Sequence, residues 1–195
     1  TINLQALKAE QRRAEAARLQ ALKDKVDDVL ASNPKLAAMK SQIRLDMTPD
    51  GLRIQIVDEQ SRPMFDSGSA IVKPYMRELL QELGAVLAEV PNRLTLEGHT
   101  DAQPFAAGER GYSNWELSSD RANASRRELV AGGLADTHVL RVQGLASSYL
   151  FEPEQPDSPA NRRISIIVMN REAEDRFLKA ETESEAEPGT SEAPT

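Results

Sequence analysis

The apolar positions of this chain change period several times, and each change marks a structural element. From Leu19 they fall at Leu19, Leu22, Val26, Val29 and Leu30, one stripe of an α-helix. Upstream the stripe is thin, with only Leu4, Leu7 and Ala14, and Gln11 and Arg18 interrupt any heptad register. Residues 1–30 lack Gly and Pro and have helix-forming composition throughout, so a solvated spacer helix is expected, with a helical dimer contact as the other reading. Ser32-Asn33-Pro34 ends that helix and opens a short one over 34–41, because Pro suits the first helical position. The period then drops to two. Ile43-Arg44-Leu45-Asp46-Met47 and Leu52-Arg53-Ile54-Gln55-Ile56 alternate around Thr48-Pro49-Asp50-Gly51, which predicts a β-hairpin.

Helical spacing returns at 74–90, where Leu79, Leu80, Leu83, Val86, Leu87 and Val90 share a face. A strand at 93–97 runs into Gly98-His99-Thr100-Asp101, and a polar loop over 102–112 leads to a helix at 115–131 closed by Gly132-Gly133. Another strand follows at 139–143. Residues 146–161, with three prolines, read as a long surface loop. Arg163-Ile164-Ser165-Ile166-Ile167-Val168-Met169 is apolar on nearly both faces, the mark of a central strand, and a short helix is expected at about 170–180. The order predicts an α/β (α+β) sandwich, a mixed β-sheet with helices on one face. Its organisation reads as linker helices over 1–42, a folded domain over 43–170, a C-terminal helix over 171–180 and an acidic tail over 181–195.

Composition narrows the function. In 195 residues, 24 Lys and Arg stand against 31 Asp and Glu, a net charge of −7. Five of those acids, and no base, lie in the last 15 residues, so the rest of the chain is nearly neutral and the tail reads as disordered. Such a balance argues against sequence-independent nucleic-acid binding. With no Cys there is no disulfide, thiolate metal site or Cys nucleophile, and with two His and no catalytic or metal-binding motif nothing calls for a cofactor or metal. A cell-wall hydrolase using His99, Asp101 and nearby serines is the competing enzymatic reading. His99 at a strand end is expected to hold loop backbone, and Trp115 and Phe65 to pack.

The chemistry that stands out joins two segments. Asp101 sits at the C-terminal end of a strand, and Arg121 lies in the helix opened by Tyr112-Ser113-Asn114-Trp115-Glu116-Leu117-Ser118, where Ser113 and Glu116 have capping-box spacing. A β-α unit brings such residues together. They then either pair with each other or split to bind a zwitterion, the acid taking an ammonium and the arginine a carboxylate.

Gly98-His99-Thr100-Asp101, the pattern Asn114-x-x-Leu117-Ser118-x-x-Arg121-Ala122, and Asn161-Arg162-Arg163-Ile164 resemble the OmpA-like peptidoglycan-binding domain over about residues 52–170. Gly111 to Arg127, with Arg62-Pro63-Met64-Phe65-Asp66-Ser67-Gly68-Ser69-Ala70 and the long 102–112 loop, look like its flagellar motor stator B branch. The resemblance implies a non-catalytic anchor in which Asp101 and Arg121 grip diaminopimelate in the cell-wall stem peptide. Thr100, Asn114 and Leu117 would neighbour them, with Arg162 or Arg163 at the rim. It further implies a periplasmic domain of an inner-membrane motility protein whose transmembrane part lies outside this chain. Its implied partners are peptidoglycan, a stator A subunit, a second copy in a homodimer, and the flagellar P-ring. A generic outer-membrane or lipoprotein anchor is the alternative within the family.

Overall fold

The alternation at 43–56 folds as the expected hairpin. Strand β1 (Ile43–Thr48) pairs antiparallel with β2 (Gly51–Val57), with Thr48 opposite Gly51. Gly51 is required there: its φ is +137°, and an added Cβ would overlap the Val168 carbonyl. The structure is a computed structural model and describes residues 3–105 and 111–185.

Three more strands complete a five-stranded sheet: β3 (Leu94–His99), β4 (Val139–Gly144) and β5 (Arg163–Met169), in the order β1-β2-β5-β3-β4. β5 lies in the middle, antiparallel to β2 and β3, as its two-sided apolar pattern requires. Among the described residues the one parallel pair is β3 with β4, joined through a helix.

The helices are α1 (Leu4–Ser32), α2 (Pro34–Ala37), α3 (Pro74–Leu87), α4 (Asn114–Ala131) and α5 (Arg171–Glu185). α1, α3 and α4 cover the face that carries Leu52, Ile54, Ile56, Leu94, Leu96, Ile164, Ile166 and Val168. Short α5 turns onto the other face, where Phe177 lies beneath the Arg141 guanidinium. The capping box read at Ser113 and Glu116 is formed: Ser113 N–H donates to Glu116 Oε2 at 2.7 Å, and Trp115 N–H donates to Ser113 Oγ at 3.2 Å.

Within residues 3–42, Leu19, Leu22, Val26, Leu30, Leu36 and Met39 are buried in the same apolar cluster as the sheet. Residues 181–185, read as tail, continue α5, and the rest of that tail, 186–195, lies outside the described residues. Among the described residues no helix is long and apolar enough to cross a membrane.

Candidate ligand-binding site

β3 and α4 build the two walls of the site, and a glycine sets their spacing. An added Cβ on Gly98 would overlap the Ser118 carbonyl, so α4 lies directly against the strand. Buried Ser118 then acts as a joint. Its Oγ donates to the Trp115 carbonyl at 3.0 Å and accepts the Ala146 N–H at 3.0 Å. Ala146 is held left-handed, at φ 48°, and its carbonyl accepts the Thr100 N–H at 2.9 Å. A non-glycine residue keeps that conformation only where its surroundings enforce it. Here the enforced turn fixes Thr100, and hence Asp101, relative to α4.

The walls enclose a cleft of about 580 Å³. On one side, Asp101 Oδ2 accepts Arg162 Nη1 at 2.8 Å, and Asp101 Oδ1 accepts the Gln103 N–H at 3.0 Å. Arg162 Nε donates to Asp58 Oδ2 at 2.8 Å, so one guanidinium bridges two buried carboxylates. Asp58 is itself clamped: Oδ1 accepts the Met64 N–H at 2.6 Å, and its own N–H donates to the Arg162 carbonyl at 2.9 Å. On the other side, Arg121 Nε donates to the Ser69 carbonyl at 2.8 Å and Nη2 to the Asp66 carbonyl at 3.4 Å. Its Cζ lies 4.9 Å from the Phe65 ring centroid, a cation–π contact. No salt bridge joins Asp101 to Arg121. Both nevertheless line the cleft.

The shared cation has unequal effects. Burial lowers the Arg162 pKa, but hydrogen bonds and charge from both Asp58 and Asp101 outweigh it and hold the value above the ordinary one. Asp58 has only a share of one guanidinium. Burial therefore dominates and raises its carboxyl above the usual range, although Arg162 and the Met64 N–H pull it down. Arg121 is lowered, chiefly by burial, and as an arginine it stays charged.

Of the residues read from sequence, Thr100, Asp101, Asn114, Leu117, Arg121 and Arg162 line the cleft. Asn114 Nδ2 donates to the Gln103 carbonyl at 2.8 Å, tying the 102–112 loop to α4; residues 106–110 of that loop lie outside the described residues. Arg163 does not line it. Strand alternation turns its side chain to the opposite side of β5, where Nη1 and Nη2 donate to the Asn161 and Tyr149 carbonyls at 3.1 and 2.9 Å. Burial lowers its pKa to about 10. His99 also differs from expectation: it is buried, with Nε2 3.6 Å from Glu97, and among the described residues it makes no hydrogen bond to loop backbone. Phe65 is buried as expected, but Trp115 is 54% exposed.

Two contributors had no sequence signal pointing to this cleft, Asp58 and the Phe65 ring beneath Arg121, and a third, Asn161, has a role that its motif did not state. Asn161 is fully buried, and its amide binds the loop through Glu152, Gln155 and Pro156. The Pro156 carbonyl in turn accepts the Ala102 N–H at 2.9 Å, next to Asp101. The resemblance drew attention to Asn161-Arg162-Arg163, but not to this bracing role.

Known proteins resemble this chain in sequence and in fold. The OmpA family matches residues 64–163. Motility protein B of Escherichia coli K12 is 50% identical over 186 residues, covering 95% of this chain and 59% of its own length. The chain thus spans about three fifths of that curated relative. A putative MotB-like protein from Desulfovibrio vulgaris superposes with a TM-score of 0.65 at 18% identity, over 82% of this chain and 98% of the other. The periplasmic domain of Helicobacter pylori MotB, residues 90–256, gives 0.60 at 16% identity, over 78% and 94%. At such identities these structures speak to the fold alone.

Proposed function

The chain belongs to the OmpA family, and on that premise we propose that its cleft is a non-catalytic anchor site for peptidoglycan. It grips the free end of a cell-wall stem peptide and holds a flagellar motor stator against torque. One observation carries the reading. Among the described residues Arg121 lines the cleft with no carboxylate partner within salt-bridge distance, while the carboxylates of Asp58 and Asp101 line the same cleft and share Arg162. A diaminopimelate side chain ends in a carboxylate and an ammonium on one carbon and fits that polarity. Arg121 takes the carboxylate, and the Asp101 side takes the ammonium. Thr100, Asn114, Leu117 and Arg162 complete the surroundings.

The stator reading is supported by the 50% identity to Motility protein B across nearly the whole chain, and it is favoured over a generic outer-membrane anchor on that ground. It entails a periplasmic location, attachment to the inner membrane, a stator A subunit as partner, a second copy alongside in a homodimer, and proximity to the P-ring. The site reading is tested by sedimenting the protein with purified sacculi. Asp101→Asn and Arg121→Ala should each weaken retention by about tenfold or more, the effect of one lost charge-assisted contact, with thermal melts close to wild type. Undiminished retention of both variants refutes the assignment. Release of soluble muropeptides by the wild type would restore the hydrolase reading.

A further inference from the structure

The Asp101 wall holds more charge than one acid, and its arithmetic points to a residue with no place in the sequence motifs. Asp101 is already neutralised by Arg162 at 2.8 Å. A neutral Asp101–Arg162 pair offers a ligand ammonium little net attraction. The excess negative charge comes from Asp58, which binds the same guanidinium from its other edge at 2.8 Å. With two carboxylates and one guanidinium, that wall carries a net charge of −1. Arg121 faces it with +1, and Lys73 at the rim is cancelled by Asp66 at 2.7 Å. Among the described residues these charges thus sum to zero, with the net negative charge on the Asp58–Arg162–Asp101 cluster and the positive charge on Arg121, which makes no salt bridge to it.

We propose that Asp58 is the specificity-determining residue for the ligand's ammonium. It acts by releasing Asp101 from full neutralisation by Arg162, and so selects a free zwitterionic end over one whose amine is capped. The inference rests on the reading of the cleft as a stem-peptide site. The geometry suits the role. Asp58 is 7% exposed, fixed by Met64 and by the Arg162 main chain, and lines the cleft together with Asp101. Its charge therefore cannot swing away or be masked by solvent as a surface carboxylate's would.

The experiment measures the affinity of the whole chain for two probes: a tripeptide ending in meso-diaminopimelate, and the same peptide with its side-chain amine acetylated. Wild type should prefer the free amine by about tenfold. Asp58→Asn keeps the size and the Met64 acceptor. It should lose most of that preference, mainly through weaker binding of the free-amine probe. Combining Asp58→Asn with Arg162→Gln leaves Asp101 with its charge unopposed and should restore the preference. Restoration separates an electrostatic role from a purely structural one, because removing a second partner of a structural clamp only adds damage. An unchanged preference in Asp58→Asn overturns the proposal alone. So does failure of the double variant to regain the preference while it still binds the acetylated probe and keeps the wild-type near-UV dichroism. If wild type binds neither probe, the reading of the cleft falls, and this inference with it.

Discussion

Arg121 and Asp58 illustrate how a buried charge is made usable. Arg121 is held on its inner edge by two main-chain carbonyls and on its flat face by Phe65, and its remaining guanidinium N–H groups have no partner among the described residues. Asp58 is harder to keep ionised. Burial raises its carboxyl above the ordinary aspartate range, even with Arg162 hydrogen-bonded and Arg121 nearby, and the Tyr75 phenol, itself raised chiefly by burial, is pushed further by the Asp58 charge. The sign of the consequence follows. On acidification Asp58 gains its proton before an ordinary aspartate does, the Asp101 wall loses its net negative charge, and affinity for a free-amine peptide falls. The folded state binds this proton more tightly than the unfolded chain, so Asp58 itself favours the fold at low pH. That contribution disappears as pH rises through the raised value. Ligand binding should therefore weaken in mild acid without loss of stability from this group. The Asp58→Asn variant should lack the weakening, so that its affinity and the wild-type affinity converge as the pH falls. Titration calorimetry at stepped pH checks this, and parallel acid profiles for the two proteins would refute it.

At the scale of elements, β3 and α4 must touch for the site to exist, and Gly98 permits it. In Gly98→Ala the methyl group would overlap the Ser118 carbonyl, which is backbone and cannot rotate away. Overpacking of this kind costs about 1–3 kcal/mol, occasionally more. Because β3 leads to Asp101 and α4 carries Arg121, peptide binding should fall beyond what the lost stability explains. Urea unfolding alongside peptide affinity checks both, and a variant with wild-type values in both would show that the contact is dispensable. Much of this level was legible in the sequence. The hairpin, the capping box, the central strand and the Asp101–Arg121 pair all follow from local period and spacing. Asp58 was not legible, since nothing in Val57-Asp58-Glu59 announces a partner 104 positions away. Nor was the choice between Arg162 and Arg163, because one residue of uncertainty at a strand start reverses which side chain faces the cleft.

For the whole molecule, α1 is the element whose role changes most. Its first half has no buried side chain before Leu19 and is tethered by polar contacts: Arg12 pairs with Glu172, and Glu15 Oε1 accepts both Asn92 Nδ2 and the Arg171 N–H at 2.9 Å. Its second half inserts Leu19, Leu22, Val26 and Leu30 into the core beneath the sheet. The thin stripe before Leu19 and the full stripe after it already marked this division, but a helical stripe alone does not say whether it faces a second copy or the chain's own sheet. Exposed ion pairs are worth about 0–1 kcal/mol each, whereas a buried Leu→Ala costs about 2–5 kcal/mol. The two halves should therefore differ sharply. Leu22→Ala should lower the unfolding free energy of the entire domain by that larger amount, in a single cooperative transition. Arg12→Ala combined with Glu15→Ala should leave the urea midpoint nearly unchanged. It should nevertheless speed amide exchange in residues 4–18 while residues 19–30 keep the protection of the sheet. Equal loss of protection in both halves would mean that α1 docks as one unit, with its polar half as firmly held as its apolar half.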